Sequence, residues 1–234
     1  MAKRKIICAL DVSDLNEAVA ITRRLSGVVG AFKVGHALTL NYGLDVVDRL
    51  RDAGANRIFL DLKFHDIPNS VALAVYQAAS RGVWMMTLHT SGGPAMMTAA
   101  VEEANRFRED QRPLLVGVSV LTSLDQHILT HDLGVDRTIE DHMVKLSKLA
   151  IDCELDGVVC SVQEARAVRS VIGTRGVIVT PGIRLANTAV HDQRRVGDAR
   201  DALDAGADYL VIGRALTQSP DPELVLSGLG LVSA

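Results

Sequence analysis

The sequence predicts an α/β protein folded as a single (β/α)8 TIM barrel domain over residues 1–234. Three observations carry that prediction. Eight short apolar runs recur along the chain, an amphipathic stretch follows nearly every one, and no Pro-, Gly- or Ser-rich linker divides them. Parallel strands covered on both faces read as unbroken apolar runs, and repeated strand–helix units favour parallel pairing. The length of 234 residues lies near the roughly 250 typical of such a barrel. Aromatic residues are only 3%, so Val, Ile, Leu and Ala must fill the core.

The first run, 6–10, precedes a helix over 14–25. There Asp14 and Glu17 have capping-box spacing, and Leu15, Ala18, Val19 and Leu25 share one face. The second run, 31–34, leads to a helical stretch over 38–53 that Gly54 ends. The third, 57–62, and the fourth, 85–89, lead to helices over 69–81 and 94–109. The fifth, 114–120, precedes a helix over 139–153 with Met143, Leu146 and Ala150 in phase. The sixth, 157–160, precedes a helix over 163–172; the seventh is 177–180 and the eighth 209–212. Two connections are long, 122–138 and 181–199, and both leave the C-terminal ends of strands, where barrel enzymes keep their chemistry. They read as lids or substrate clamps.

Charge and cysteine usage narrow the function. A net charge of −3 lacks the basic excess of a nucleic-acid binder, and Arg194-Arg195 reads as solvated surface or a small anion site. The cysteines Cys8, Cys153 and Cys160 have no C-x-x-C spacing and read as reduced thiols. Residues 1–5 are basic, but the apolar run after them stops at Asp11, too short for a signal peptide. No run approaches the ~18 residues of a membrane span. The reading is a soluble cytoplasmic protein with neither nucleic acid nor membrane as a partner.

Charge stands where a core is expected. The first strand ends at Asp11, the second carries Lys33, and the third reads Asp61-Leu62-Lys63-Phe64-His65-Asp66. In a strand, residues i and i+2 share a face, so Asp61 and Lys63 point the same way. Buried charges persist when paired, and Lys33, Lys63, Asp61 and Asp66 would form a neutral alternating set. A structural ion network or outward-facing surface charge would give the same residues. After the eighth strand, Gly213-Arg214 opens a helix, where backbone N–H groups and a guanidinium suit a phosphate. Thr180-Pro181-Gly182-Ile183-Arg184 offers a turn and a second arginine beside it. Other polar features read as structure. His36, His65 and His89 lack metal-ligand spacing and read as packed or supporting side chains. Ser91-Gly92-Gly93 reads as a turn into a helix, Trp84-Met85-Met86 as core or a subunit contact, and Gly228 and Gly230 as tail.

With these residues in place, the sequence resembles the orotidine 5′-monophosphate decarboxylase family in its compact bacterial form. The shared markers run in order along nearly the whole chain: Ala9-Leu10-Asp11; Phe32-Lys33-Val34-Gly35; Asp61 to Asn69; Val120-Leu121-Thr122-Ser123; Thr180 to Arg184; Asp192-Gln193; and Val211-Ile212-Gly213-Arg214. The D-x-K-x-x-D element is shared with related sugar-phosphate decarboxylases. The run through His65-Asp66-Ile67-Pro68, the P-G-I-R segment and the D-Q pair are more specific. The resemblance implies that Lys63 protonates C6 of the pyrimidine and that Asp61 sits beside the departing carboxylate. Lys33 and Asp66 complete a charged tetrad, with Asp66 reaching the site of a partner subunit in a homodimer. Asp11 and Lys33 hold the ribose, and Thr122 contacts the base. Arg184, Gln193, Arg214 and the Gly213 backbone hold the phosphate. Ile67, Ser70 and Pro181 belong to the same substrate-contacting motifs.

Departures from the family pattern leave the charged groups untouched. Ser70 stands where Thr is usual, Gly197-Asp198 replaces a common Thr-Pro, and Ala215 replaces a common Pro. The expected substrate is orotidine 5′-monophosphate, with no metal and no organic cofactor. Two alternatives differ in kind: a metal-dependent sugar-phosphate decarboxylase or synthase on the same barrel, and a non-catalytic nucleotide-binding barrel.

Overall fold

A computed structural model describes residues 2–183 and 198–231. Its strands are β1 (Ile6–Leu10), β2 (Ala31–Val34), β3 (Ile58–Phe64), β4 (Met85–His89), β5 (Leu114–Val118), β6 (Gly157–Val159), β7 (Val177–Thr180) and β8 (Tyr209–Ile212). They close into a barrel in sequence order, and β8 returns to β1 through Ile7↔Val211. Every neighbouring pair is parallel.

The pleat sorts each apolar run into two cores. In β1, Ile6, Cys8 and Leu10 face the surrounding helices, while Ile7 and Ala9 face the barrel axis. The inner core continues with Ala31, Phe59, Met85, Val116, Val179 and Val211. Trp84 and Tyr209 close its N-terminal end, with ring centroids 5.2 Å apart at 75°. The Arg57 guanidinium lies 4.9 Å from the centre of the Trp84 ring. The lower barrel is therefore plugged, and open space is left at the C-terminal ends of the strands.

The outer layer holds α1 (Leu15–Leu25), α2 (His36–Tyr42), α3 (Asp45–Asp52), α4 (Pro68–Ser80), α5 (Gly93–Ala104), α6 (Ile139–Asp152), α7 (Val162–Ile172) and α8 (Ala199–Asp204). The short helices α9 (Arg214–Thr217) and α10 (Pro222–Gly228) follow β8. The predicted cap holds, since the Asp14 carboxylate accepts the Glu17 N–H at 2.8 Å.

Several boundaries differ from the sequence reading. The single helix expected over 38–53 is two, because Gly43 takes φ +63 and its N–H closes α2 on the Thr39 carbonyl. The helix expected over 94–109 stops at Ala104, and Gly228 closes α10 instead of lying in a tail. β3 continues past residue 62 to Phe64, which carries Lys63 into the sheet. Of the two long connections, 122–138 is knitted together. The Gln126 amide donates to the Arg137 carbonyl at 2.8 Å and accepts the Ile139 N–H at 2.9 Å. Most of the second falls outside the described residues.

Candidate active site

Four charged side chains meet at the C-terminal mouth of the barrel, each from the inward face of β1–β3 or its end. Lys33 Nζ lies 3.2 Å from Asp11 Oδ1 and 3.3 Å from Asp61 Oδ2. Lys63 Nζ lies 2.9 Å from Asp61 Oδ1. The order is thus Asp11–Lys33–Asp61–Lys63, with signs alternating. The centre of the chain is the most enclosed: side-chain exposure is 14% for Lys33 and 13% for Asp61, against 63% for Asp11 and 31% for Lys63.

The electrostatics follow from that enclosure. Burial pushes the Asp61 carboxyl up, but the Lys33 and Lys63 ammonium groups, with hydrogen bonds from Lys63 and Thr87, outweigh it and hold Asp61 below its ordinary value. Burial pushes Lys33 down, and Asp61 and Asp11 outweigh it and hold Lys33 above its ordinary value. Both groups therefore stay charged through neutral pH. Desolvating them is costly and is offset only because each has an opposite neighbour in contact.

Lys63 reaches Asp61 through an irregular backbone. On either side of it, Leu60 pairs with Met86 and Phe64 with Leu88. Three residues of β3, Asp61, Leu62 and Lys63, therefore stand opposite one residue of β4, Thr87. Lys63 absorbs the excess at φ 51, in the left-handed region that costs an L-residue about 1–2 kcal/mol. Its N–H, displaced from the ladder, donates to Thr87 Oγ1 at 2.9 Å. The i, i+2 rule placed Asp61 and Lys63 together, but a bulge, not a regular pleat, makes the contact.

The charged chain forms one wall of a cavity of about 560 Å³, inside the roughly 300–1,000 Å³ usual for small-molecule sites. Val118, Val159, Val179 and Val211 line the opposite side. Thr122, Pro181, Gly213 and Arg214 also line the cavity, at or beyond the ends of β5, β7 and β8. Arg184 and Gln193, expected on the phosphate side, lie outside the described residues.

The structure does not bring every expected residue to this cavity. Asp66 was expected to complete the alternating set, yet it is exposed and its Oδ1 accepts the Ile67 N–H at 2.6 Å. Within the single chain the fourth member is Asp11, also expected to hold ribose, while the expected reach of Asp66 into a partner subunit's site involves a second chain. Ile67, exposed, and Ser70, on α4, also stand away from the cavity lining. His65 and His89 pack with ring centroids 5.2 Å apart. Burial, then His65 and Lys63, lowers the pKa of His89. Thr87 was missed by the sequence reading, although a polar residue inside the apolar run Met85-Met86-Thr87-Leu88 was a usable signal.

Chemically, the wall offers a fixed ammonium, Lys63, beside a fixed carboxylate, Asp61, with the apolar side opposite limiting water. Such a surface can steady a negative charge that develops at carbon and can deliver a proton to it.

Comparison with known proteins agrees with this geometry. Residues 4–228 match the model of the family described as Orotidine 5′-phosphate decarboxylase / HUMPS family. A Chromobacterium violaceum protein named orotidine 5′-phosphate decarboxylase is 46% identical over 96% of this chain and 89% of its own length. One of the same name from Nitrosococcus oceani is 46% identical over 98% of this chain and 97% of its own. The crystal structure of orotidine 5′-phosphate decarboxylase from Lactobacillus acidophilus superposes with a TM-score of 0.85 at 30% identity, covering 99% of this chain and all of that one (100%).

Proposed function

The chain belongs to the Orotidine 5′-phosphate decarboxylase / HUMPS family, and we propose that it converts orotidine 5′-monophosphate to uridine 5′-monophosphate and carbon dioxide in pyrimidine biosynthesis. The observation that carries this reading is the Lys63 ammonium, held 2.9 Å from Asp61 on the charged wall of the cavity. The C6–carboxylate bond breaks, its electron pair stays on C6, and Lys63 supplies the proton that replaces the carboxylate. Asp61 faces the departing carboxylate with like charge, a contact relieved as carbon dioxide leaves. Preorganised charge is the larger contribution, because the four groups are already paired and need not reorient during the reaction. The lysine–aspartate chain takes the part that a cofactor electron sink plays in other decarboxylases.

Lys33 and Asp11 serve the ribose and Thr122 the base, from their places around the cavity. Arg214, the Gly213 backbone and Pro181 form the phosphate end, with Arg184 and Gln193 completing it. Phosphate contacts far from C6 supply binding energy that can order and dry the reacting end.

Asp66, Ile67 and Ser70 act across a homodimer interface, where Asp66 enters the partner's site. The exposed apolar side chains beside Asp66 support this: Ile67 is 66% exposed, and on α4 Leu73 is 57% and Tyr76 47% exposed. We read residues 1–234 as one such domain, working in the cytoplasm, where its three cysteines stay reduced. Among the described residues no helix is long and apolar enough to cross a membrane.

The test is absorbance loss on adding orotidine 5′-monophosphate to the purified protein, with and without prior chelation, and again with Lys63→Ala. The wild type is expected to turn over equally before and after metal removal. Lys63→Ala should lose at least ~10³-fold in kcat, the upper end for one preorganised group, because it both steadies and protonates the carbanion. Dependence on a divalent metal would favour the sugar-phosphate alternative, and binding without turnover would favour a non-catalytic barrel. Full activity in Lys63→Ala would remove the proton-donor assignment.

A further inference from the structure

Thr87 lies on the inward face of β4 and is 1% exposed. Its hydroxyl works in both directions. Oγ1 accepts the Lys63 N–H at 2.9 Å and donates to Asp61 Oδ1 at 3.0 Å. The same Oδ1 accepts from Lys63 Nζ at 2.9 Å. Backbone N–H, hydroxyl, carboxylate and ammonium therefore form a closed ring that begins and ends on Lys63.

Two facts set this hydroxyl apart. Other buried threonine hydroxyls, those of Thr22, Thr90 and Thr180, have no hydrogen-bond partner among the described residues, so burial alone does not require this bonding. Thr87 is also the single β4 residue facing three of β3, where the Lys63 N–H has left the ladder. A left-handed lysine persists only where its surroundings hold it. Here the hydroxyl supplies the acceptor that the displaced N–H needs. It also aims one Asp61 oxygen at the lysine ammonium, leaving Oδ2 toward Lys33.

We propose that Thr87 is a positioning residue: its hydroxyl locks the β3 bulge and so sets the Lys63 ammonium against Asp61 for proton delivery. This deepens the decarboxylase reading and rests on it for its kinetic consequence. Thr87 need not touch substrate; it acts through Lys63 and Asp61. The groups facing Asp61 are Lys33 from β2, Lys63 from its own strand and, farther off, His89 from β4.

The experiment compares Thr87→Val, which keeps the shape and loses the hydroxyl, with Thr87→Ser, which keeps the hydroxyl. Turnover of orotidine 5′-monophosphate is measured per folded molecule, with a pH profile, and crystal structures of wild type and the Val variant are solved. Loss of hydrogen bonds to charged groups predicts kcat down about 10- to 100-fold in Thr87→Val. KM should stay within about 3-fold, because phosphate and ribose contacts are untouched. The acid limb of kcat should move to higher pH, since one bond holding Asp61 ionised is gone. Thr87→Ser should recover most of kcat. If the Val variant does not accumulate as folded protein, Thr87→Ala gives the same reading without an added buried methyl.

A purely structural threonine would lower thermal stability and leave kcat and the pH profile of the folded fraction unchanged, and that result overturns the proposal. Failure of Thr87→Ser to restore kcat overturns it as well. A wild type that does not decarboxylate the nucleotide instead removes the proposed function. The bulge lock then stands or falls on the structures: Lys63 must leave its left-handed conformation, or lose Asp61, in the Val variant.

Discussion

Across the barrel mouth, β1–β3 present Asp11, Lys33, Asp61 and Lys63 to the cavity, whereas β5–β8 present Val118, Val159, Val179 and Val211. The two sides come from the same pleated alternation, yet one is built of linked charges and the other of valines. A protein optimised only for stability would make both sides apolar, since replacing a buried ion network by packed hydrophobic residues is often neutral or stabilising. On the proposed function, the charged side is retained for chemistry. The apolar side contributes by lowering the local dielectric, which strengthens every charge opposite it. Thr87 and its neighbours on β4 form the seam between them.

The sharpest way to break the contrast is to neutralise the centre of the charged side. Asp61→Asn keeps the shape but leaves Lys33 and Lys63 without their shared counter-ion. We expect kcat to fall by about 10²–10³, the usual cost of one preorganised electrostatic group. Stability should fall too, and the pH dependence carries the sign. The folded-state pKa of Asp61 is depressed, so its contribution is complete above the ordinary carboxylate value and is lost as pH falls through the folded value. That of Lys33 is raised, so its contribution is complete below the ordinary lysine value and is lost as pH rises through the folded value. The melting-temperature gap between wild type and Asp61→Asn should then be constant through neutral pH, narrowing below about pH 4 and again above about pH 10. A gap that widens on acidification would mean that Asp61 is not held ionised by its lysines.

Arg214 sharpens the contrast from the other direction, because it brings charge to the apolar side, at the start of α9 after β8. If it grips phosphate and not the reacting carbon, Arg214→Ala should lower kcat/KM roughly 100-fold, the worth of a two-pronged charged contact. Much of that should appear as raised KM. An added guanidinium salt, which replaces the lost cation, should restore part of the loss. Unchanged kinetics would remove Arg214 from the phosphate site and leave the apolar side without a polar role.

How much of this was legible in the sequence depends on the physical signal each part leaves. The eight strands were readable because strands covered on both faces are apolar throughout, as in Ile6 to Leu10. The break at Gly43 was overlooked because the apolar periodicity runs on through α2 and α3. Lys33, Asp61 and Lys63 stood out as charge at strand ends, and that cost is visible in any sequence. The bulge was not, because nothing about a lysine announces φ 51; glycine or asparagine would have. Asp66 was placed in the charged set by resemblance, as a group reaching a partner subunit's site, so its exposure and its contact with the Ile67 N–H just ahead of α4 within one chain leave that role to the proposed homodimer. The contact of Asp11 with Lys33, from a strand far off in sequence, was not legible, because register between strands is set in three dimensions.

The mildest test is Val179→Ala, which trims the apolar side without touching a charge. Val179 is fully buried in the inner core and also borders the cavity. Losing two methyl groups should cost about 1–2 kcal/mol, and so roughly 2–8 °C in melting temperature for a protein of this size. The cost sits at the low end of core truncations because the new space opens into a cavity that already exists. Kinetically, kcat should stay within about 3-fold, because a slightly larger apolar surface changes neither the position nor the pairing of Lys63 and Asp61. If kcat instead fell about as far as in Asp61→Asn, with KM unchanged, the valines would be shaping the charge field as directly as the lysines do. The division of labour between the two sides would then be wrong.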